Sequence, residues 1–172
     1  TKAEKLDKVI IAIDAKETEQ ALLEYDFKLV MTSKNHTSGT DRVAAVAKGE
    51  PEAKIIINIQ GDEPLLNPKL IDDLVDIFHD PSVEMATVVS RKLTVTDLLN
   101  PNVVKAILDE NQNTQDFKRN VFDMEIGAVY RHIGMYGFQR DTIFEFIAQE
   151  PSDREQKKSL EQLRALDHGI PI

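Results

Sequence analysis

The sequence predicts an α/β fold built on a mostly parallel, twisted sheet flanked by helices, and three observations predict it. Apolar, β-branched runs at residues 9–13 and 55–59 have the length and composition of buried strands. Stretches of helical period alternate with the strand patterns, as they do where parallel strands need crossover connections. Helix-start signals at Asn67-Pro68 and at Ser152 place two helices independently of the apolar period.

The elements follow in order. Residues 9–13 are the first strand. Residues 18–25 read as a helix with Ala21, Leu22 and Tyr25 on one side, and residues 29–31 as a short strand. A helix through Val43, Ala44, Val46 and Ala47 comes next. Residues 55–59 are almost wholly apolar, which fits an interior strand covered on both faces. Asn67 is a good N-cap and Pro68 is preorganised for the first helical position. Leu70, Ile71, Leu74, Val75, Ile77 and Phe78 then give that helix its apolar stripe.

Strands are expected at residues 85–89 and 103–108. Residues 111–123 are polar and without period; they read as a loop, or as a junction where a stretch of a longer chain is missing. Residues 130–138 make a longer strand. Phe144, Ile147 and Ala148 lie on a helix that stops before Pro151. Ser152 and Glu155 form a capping box, opening a last helix with Leu160, Leu163 and Leu166 inward and Gly169 at its end.

The chain has 172 residues, which fits one domain with a sizeable core. Apolar residues at 41% and charged residues at 30% are ordinary for a globular protein. No apolar run reaches membrane-spanning length, and the expectation is a soluble protein with no membrane insertion. The absence of cysteine excludes disulfides and thiolate chemistry and suits a cytoplasmic location. A net charge of -9 argues against nucleic acid as a partner. A nucleotide is not excluded, since it needs only a few local cations and a metal ion.

Four segments could carry chemistry. Gln60-Gly61-Asp62-Glu63-Pro64 follows directly on a buried strand, and ligands of open α/β sheets bind beyond the carboxyl ends of strands. A carboxylate there can hold Mg²⁺ against substrate phosphates, although the same residues also make a plain acidic turn. Ser38-Gly39-Thr40-Asp41-Arg42 puts small residues at a helix start, where backbone N–H groups face outward and Arg42 adds a planar donor. An N-cap Thr40 with a solvated Arg42 accounts for it equally without a ligand. In residues 132–138, His132, Gly134 and Tyr136 share one strand face, and the glycines suggest close approach by a ligand or another backbone. A core tyrosine and a satisfied histidine are the alternative. Glu161 and Gln162 flank buried leucines and border either the core or water.

Taken together, these segments resemble the 3-deoxy-manno-octulosonate (Kdo) cytidylyltransferases. Residues 32–42, 58–64, 100–105, 131–138 and 160–166 match that family's motifs in order, across nearly the whole chain. The resemblance implies a nucleotide-diphospho-sugar transferase-like, Rossmann-like fold and transfer of CMP from CTP to the anomeric hydroxyl of Kdo for lipopolysaccharide synthesis. It implies that Ser38, Gly39, Thr40 and Arg42 contact the nucleotide and that Asp62 is the catalytic metal ligand, for Mg²⁺. It implies that Gln60, His132, Tyr136, Glu161 and Gln162 contact the sugar acid, and that the enzyme is a homodimer. The family's N-terminal phosphate loop, an interior Ser-Arg stretch and a second metal-binding Asp have no counterpart in these residues. The expectation is therefore that residues 1–172 are one incomplete domain of a longer enzyme. Its rivals are a cytidylyltransferase for a sialic-acid-like or amino-substituted sugar, and an inactive truncated form acting as a binding protein.

Overall fold

The structure is a computed structural model describing residues 2–61, 66–121 and 128–172. Strand β1 (Ile10–Ile13) pairs in parallel with β2 (Lys28–Met31) in a two-stranded sheet. The helix between them, α1 (Lys16–Leu22), starts and stops earlier than its apolar pattern and buries no residue. Tyr25, expected on its inner side, lies beyond it, 54% exposed and stacked on Phe27.

Helix α2 (Gly39–Lys48) leads into β3 (Ile55–Ile59). Helix α3 (Pro68–Asp76) starts as its sequence dictates: the Asn67 side chain accepts from the Lys69 N–H and Pro68 holds the first turn. A tighter 3₁₀ turn, Ile77–His79, rotates the end of the stripe, so Ile71 and Leu74 are buried while Ile77 is exposed. After β4 (Met85–Ser90) comes a short helix, α4 (Val95–Leu99), opened by a Thr94–Asp97 capping box that the periodicity reading passes over.

β5 (Lys105–Leu108) falls within the strand expected at 103–108, and it forms a hairpin with β6 (Thr114–Lys118), which stands where the sequence reads as a loop. Asp109 closes its turn by accepting from the N–H groups of Asn111 and Asn113. Only Thr114 and Phe117 of β6 are buried, so a core strand is written in polar letters. Strand β7 (Val129–Gln139) runs into α5 (Arg140–Ala148). The single last helix expected from Ser152 is two: α6 (Asp153–Lys158) and α7 (Leu163–Asp167), broken at left-handed Ser159. Arg119 holds this break, its guanidinium donating at 3.0 Å to the carbonyls of Lys158, Ser159 and Pro101.

The mostly parallel sheet is the main correction. In the five-stranded sheet β3, β4 and β5 each pair antiparallel with β7, and β6 pairs antiparallel with β5. Because β7 opposes all three, β3, β4 and β5 share one direction, as the helix–strand alternation implies. The long β7 pairs with all three and makes every one of those pairings antiparallel. Among the described residues parallel pairing is confined to β1 and β2.

Helices cover both sheet faces. Ala44 and Ala47 of α2 and Ile143 and Phe146 of α5 join Ile56 and Phe138 on one side. Ile71 and Leu74 of α3 meet Ala86, Met135 and Ile57 on the other. Leu163 of α7 and Leu160 pack with Ala106 and Phe117 of the hairpin. Gly137 is required by this packing: a Cβ there would stand 2.4 Å from the Phe78 ring. The close approach that its position suggested is by a core side chain.

Candidate active site

The site is built first where β3 meets the start of α2. Ser38 is the N-cap, its hydroxyl accepting from the Asp41 N–H at 3.0 Å, so Thr40 is not the cap but lies buried in the first turn. The Asn58 amide donates to the Thr40 hydroxyl at 3.1 Å, fastening α2 to β3. One residue beyond β3, the Gln60 side chain lies against Gly39. A Cβ at residue 39 would stand 3.1 Å from the Gln60 amide group, so even alanine there would displace it.

β7 and the turn before α7 supply the facing wall. Thr40, Tyr136, Glu161 and Gln162 line one narrow crevice. Ser38 and Glu161 also line an adjoining cleft of about 300 Å³ against α6. His132 and Tyr136 stand 5.4 Å apart, ring to ring, and Phe117 meets the imidazole edge-on at 5.2 Å. Opposite β4, β7 carries two extra residues between Ile133 and Tyr136, an even number, so His132 and Tyr136 stay on one face.

These groups are electrostatically unusual. Burial pushes the Glu161 carboxyl up, with the hydroxyls of Ser38 and Thr40 opposing the shift. Its Oε1 is buried and has no hydrogen-bond partner among the described residues. Burial lowers the His132 imidazole to about 4. Burial, and then the Glu161 charge, raises the Tyr136 phenol, which stays neutral. The wall thus offers one unmet carboxylate oxygen beside neutral polar groups, a pattern suited to a ligand rich in hydroxyl donors.

Two cations stand apart. Arg42 is turned toward the carboxyl ends of β1 and β2, donating to Asp14 at 2.6 Å and to the Thr32 hydroxyl at 2.5 Å. Lys105 is fully buried; its ammonium donates to the carbonyls of Asn100 and Arg119 at 2.8 Å each, and burial pushes its pKa down. It holds two loops together. Asp62 lies outside the described residues. Among the described residues no three acidic or histidine side chains are grouped to take a metal ion.

Three contributors receive no role in the motif reading. Asn58, the one polar residue of an apolar strand, carries a legible signal. Asp14, at the carboxyl end of β1, carries a weaker one. Thr87, whose hydroxyl lies 2.9 Å from His132 Nε2, carries none, because a threonine in a strand is ordinary.

Comparison with known proteins gives the family and the fold. The family model described as cytidylyltransferase matches residues 1–172. The 3-deoxy-manno-octulosonate cytidylyltransferase of Pelobacter propionicus is 40% identical over 187 residues, covering 99% of this chain and 73% of the relative. That of Myxococcus xanthus is 41% identical over 175 residues, covering 99% and 71%. A solved structure of CMP:2-keto-3-deoxy-manno-octonic acid synthetase complexed with CTP superposes with a TM-score of 0.90 at 32% identity, covering 99% of this chain and 72% of that one. The α/β nucleotide-diphospho-sugar transferase fold follows from that superposition. The chain belongs to the cytidylyltransferase family, among its 3-deoxy-manno-octulosonate cytidylyltransferases.

Proposed function

We propose that this protein transfers CMP from CTP to the anomeric hydroxyl of Kdo, releasing pyrophosphate, for lipopolysaccharide synthesis. The observation that carries the reading is the unpaired, buried Oε1 of Glu161 in the crevice shared with Thr40, Tyr136 and Gln162. A carboxylate oxygen held from water is costly unless a ligand donates to it, and a polyhydroxylated acid brings such donors.

In this reading Gln60, His132, Tyr136, Glu161 and Gln162 hold the sugar acid, and Ser38, Gly39 and Thr40 hold the nucleotide at the α2 N-terminus. Arg42 belongs to the nucleotide side and would have to leave Asp14 or bind beside it. The anomeric hydroxyl oxygen attacks the α-phosphorus of CTP, a new P–O bond forms as the hydroxyl proton passes to solvent, and the bond to the β-phosphate breaks in line with pyrophosphate leaving. Holding the two reactants in register is the chain's main contribution. Mg²⁺ on Asp62 would offset phosphate charge. A homodimer and a cytoplasmic place of work belong to the same reading and rest on the family resemblance.

The test is pyrophosphate release from CTP with Kdo, with a sialic acid and with an amino-substituted sugar acid. Turnover with Kdo at least tenfold above the others is expected; preference for another acid overturns the substrate. Tyr136→Phe and His132→Ala then raise the KM for Kdo more than that for CTP. A change confined to CTP would put this wall on the wrong ligand.

A further inference from the structure

Thr87 on β4 lies opposite Tyr136 of β7, at the point where β7 carries its extra residues. Its hydroxyl stands 2.8 Å from the Met135 carbonyl oxygen and 2.9 Å from His132 Nε2. A threonine hydroxyl has one proton, and a carbonyl has none to give. The proton therefore goes to Met135. The contact with the ring is then favourable only if the threonine oxygen accepts, which puts hydrogen on Nε2. A neutral imidazole protonated there has a bare lone pair on Nδ1. Among the described residues no hydrogen bond reaches Nδ1, while Phe117 and Tyr136 fix the ring on either side.

We propose that Thr87 is a positioning residue of the sugar-acid site: it fixes the Nε2–H tautomer of His132 and so presents Nδ1 as a hydrogen-bond acceptor to a ligand hydroxyl. The proposal rests on the reading proposed above, in which His132 faces the sugar acid. The opposite tautomer would present an N–H, which suits a carboxylate or carbonyl and discriminates differently between acids. Burial supports the arrangement by keeping the imidazole neutral near pH 7.

The experiment joins a spectroscopic readout to a kinetic one. Nitrogen-15 NMR of histidine-labelled protein reports which ring nitrogen of His132 carries hydrogen. The wild type and Thr87→Ser are expected in the Nε2–H form, and Thr87→Val in a mixture or the opposite form. In Thr87→Val the KM for Kdo rises about tenfold, the scale of one hydrogen bond, with the KM for CTP unchanged. Thr87→Ser restores both, which separates positioning from a folding defect. An unchanged tautomer in Thr87→Val overturns the proposal directly. A changed tautomer with unaltered use of Kdo overturns it through the reading beneath it, by removing His132 from the sugar site.

Discussion

The Asn58 amide donates to the Thr40 hydroxyl at 3.1 Å, and both residues are only 2% exposed. The bond crosses from β3 to the first turn of α2, so the α2 side of the crevice is aligned by a polar residue placed among isoleucines. Asn58→Leu is expected to destabilise the protein by about 1–3 kcal/mol, because Thr40 is left buried without its donor. Adding Thr40→Val should recover part of the loss. Urea unfolding of the two single variants and the double one measures the coupling; strictly additive losses would mean that the bond contributes nothing.

The Arg164–Glu155 pair joins α7 to α6. Two bonds of 2.6 and 2.9 Å link side chains that are 5% and 11% exposed, and the guanidinium lies 4.9 Å over the Phe146 ring. Glu155→Ala should cost about 3–5 kcal/mol, since it leaves a buried cation unpaired. Thermal unfolding checks it: a shift in Tm as small as that of an exposed charge substitution would show that water reaches the pair.

His132 makes the fold acid-sensitive. Its imidazole titrates near 6.5 when unfolded and is lowered to about 4 by burial when folded. Between those values the unfolded chain binds the extra proton, so this residue's contribution to stability declines as pH falls from 6.5 to 4, by at most about 1.4 kcal/mol per pH unit. Glu161, whose carboxyl is pushed up, acts oppositely: it favours the fold at acid pH and loses that contribution as pH rises through its folded value. His132→Asn is expected to flatten stability against pH across the 4–6.5 window. An unaltered slope in denaturant titrations at several pH values would assign the sensitivity elsewhere.

Asp62→Asn is expected to abolish Mg²⁺-dependent pyrophosphate release with little effect on folding. The position comes three residues after the end of β3 in the sequence, and the substitution removes the negative charge that would anchor the ion. Turnover near that of the wild type would remove Asp62 from the metal reading.

Much of this was legible in the residues. Asn67-Pro68 and Ser152 with Glu155 specify helix starts locally, and both starts are found where they stand. The crevice residues Thr40, Tyr136, Glu161 and Gln162 are brought together from three motifs that the sequence keeps far apart. What was not legible depends on partners distant in the chain. The direction of β7 against its neighbours is decided by packing, not by its own letters. β6 shows only Thr114 and Phe117 to the core, too few to display a period. The break at Ser159 has no local breaker such as glycine or proline; Arg119, forty positions earlier, holds its carbonyl. Thr87 is invisible for the same reason, since its role exists only once β4 lies beside β7.

The place of β7 also sets an order of events during synthesis. β3, β4 and β5 are translated first, yet in the five-stranded sheet the partner of each includes β7. Some seventy residues separate the end of β3 from the start of β7, which a ribosome adding roughly 5–20 residues per second crosses in about 4 to 14 seconds. For that interval β3 waits with its hydrogen-bonding edge unmatched, a state in which apolar strands recruit other chains. The nascent chain is therefore most vulnerable to aggregation before residue 129 has emerged, and slow codons placed there would lengthen its exposure.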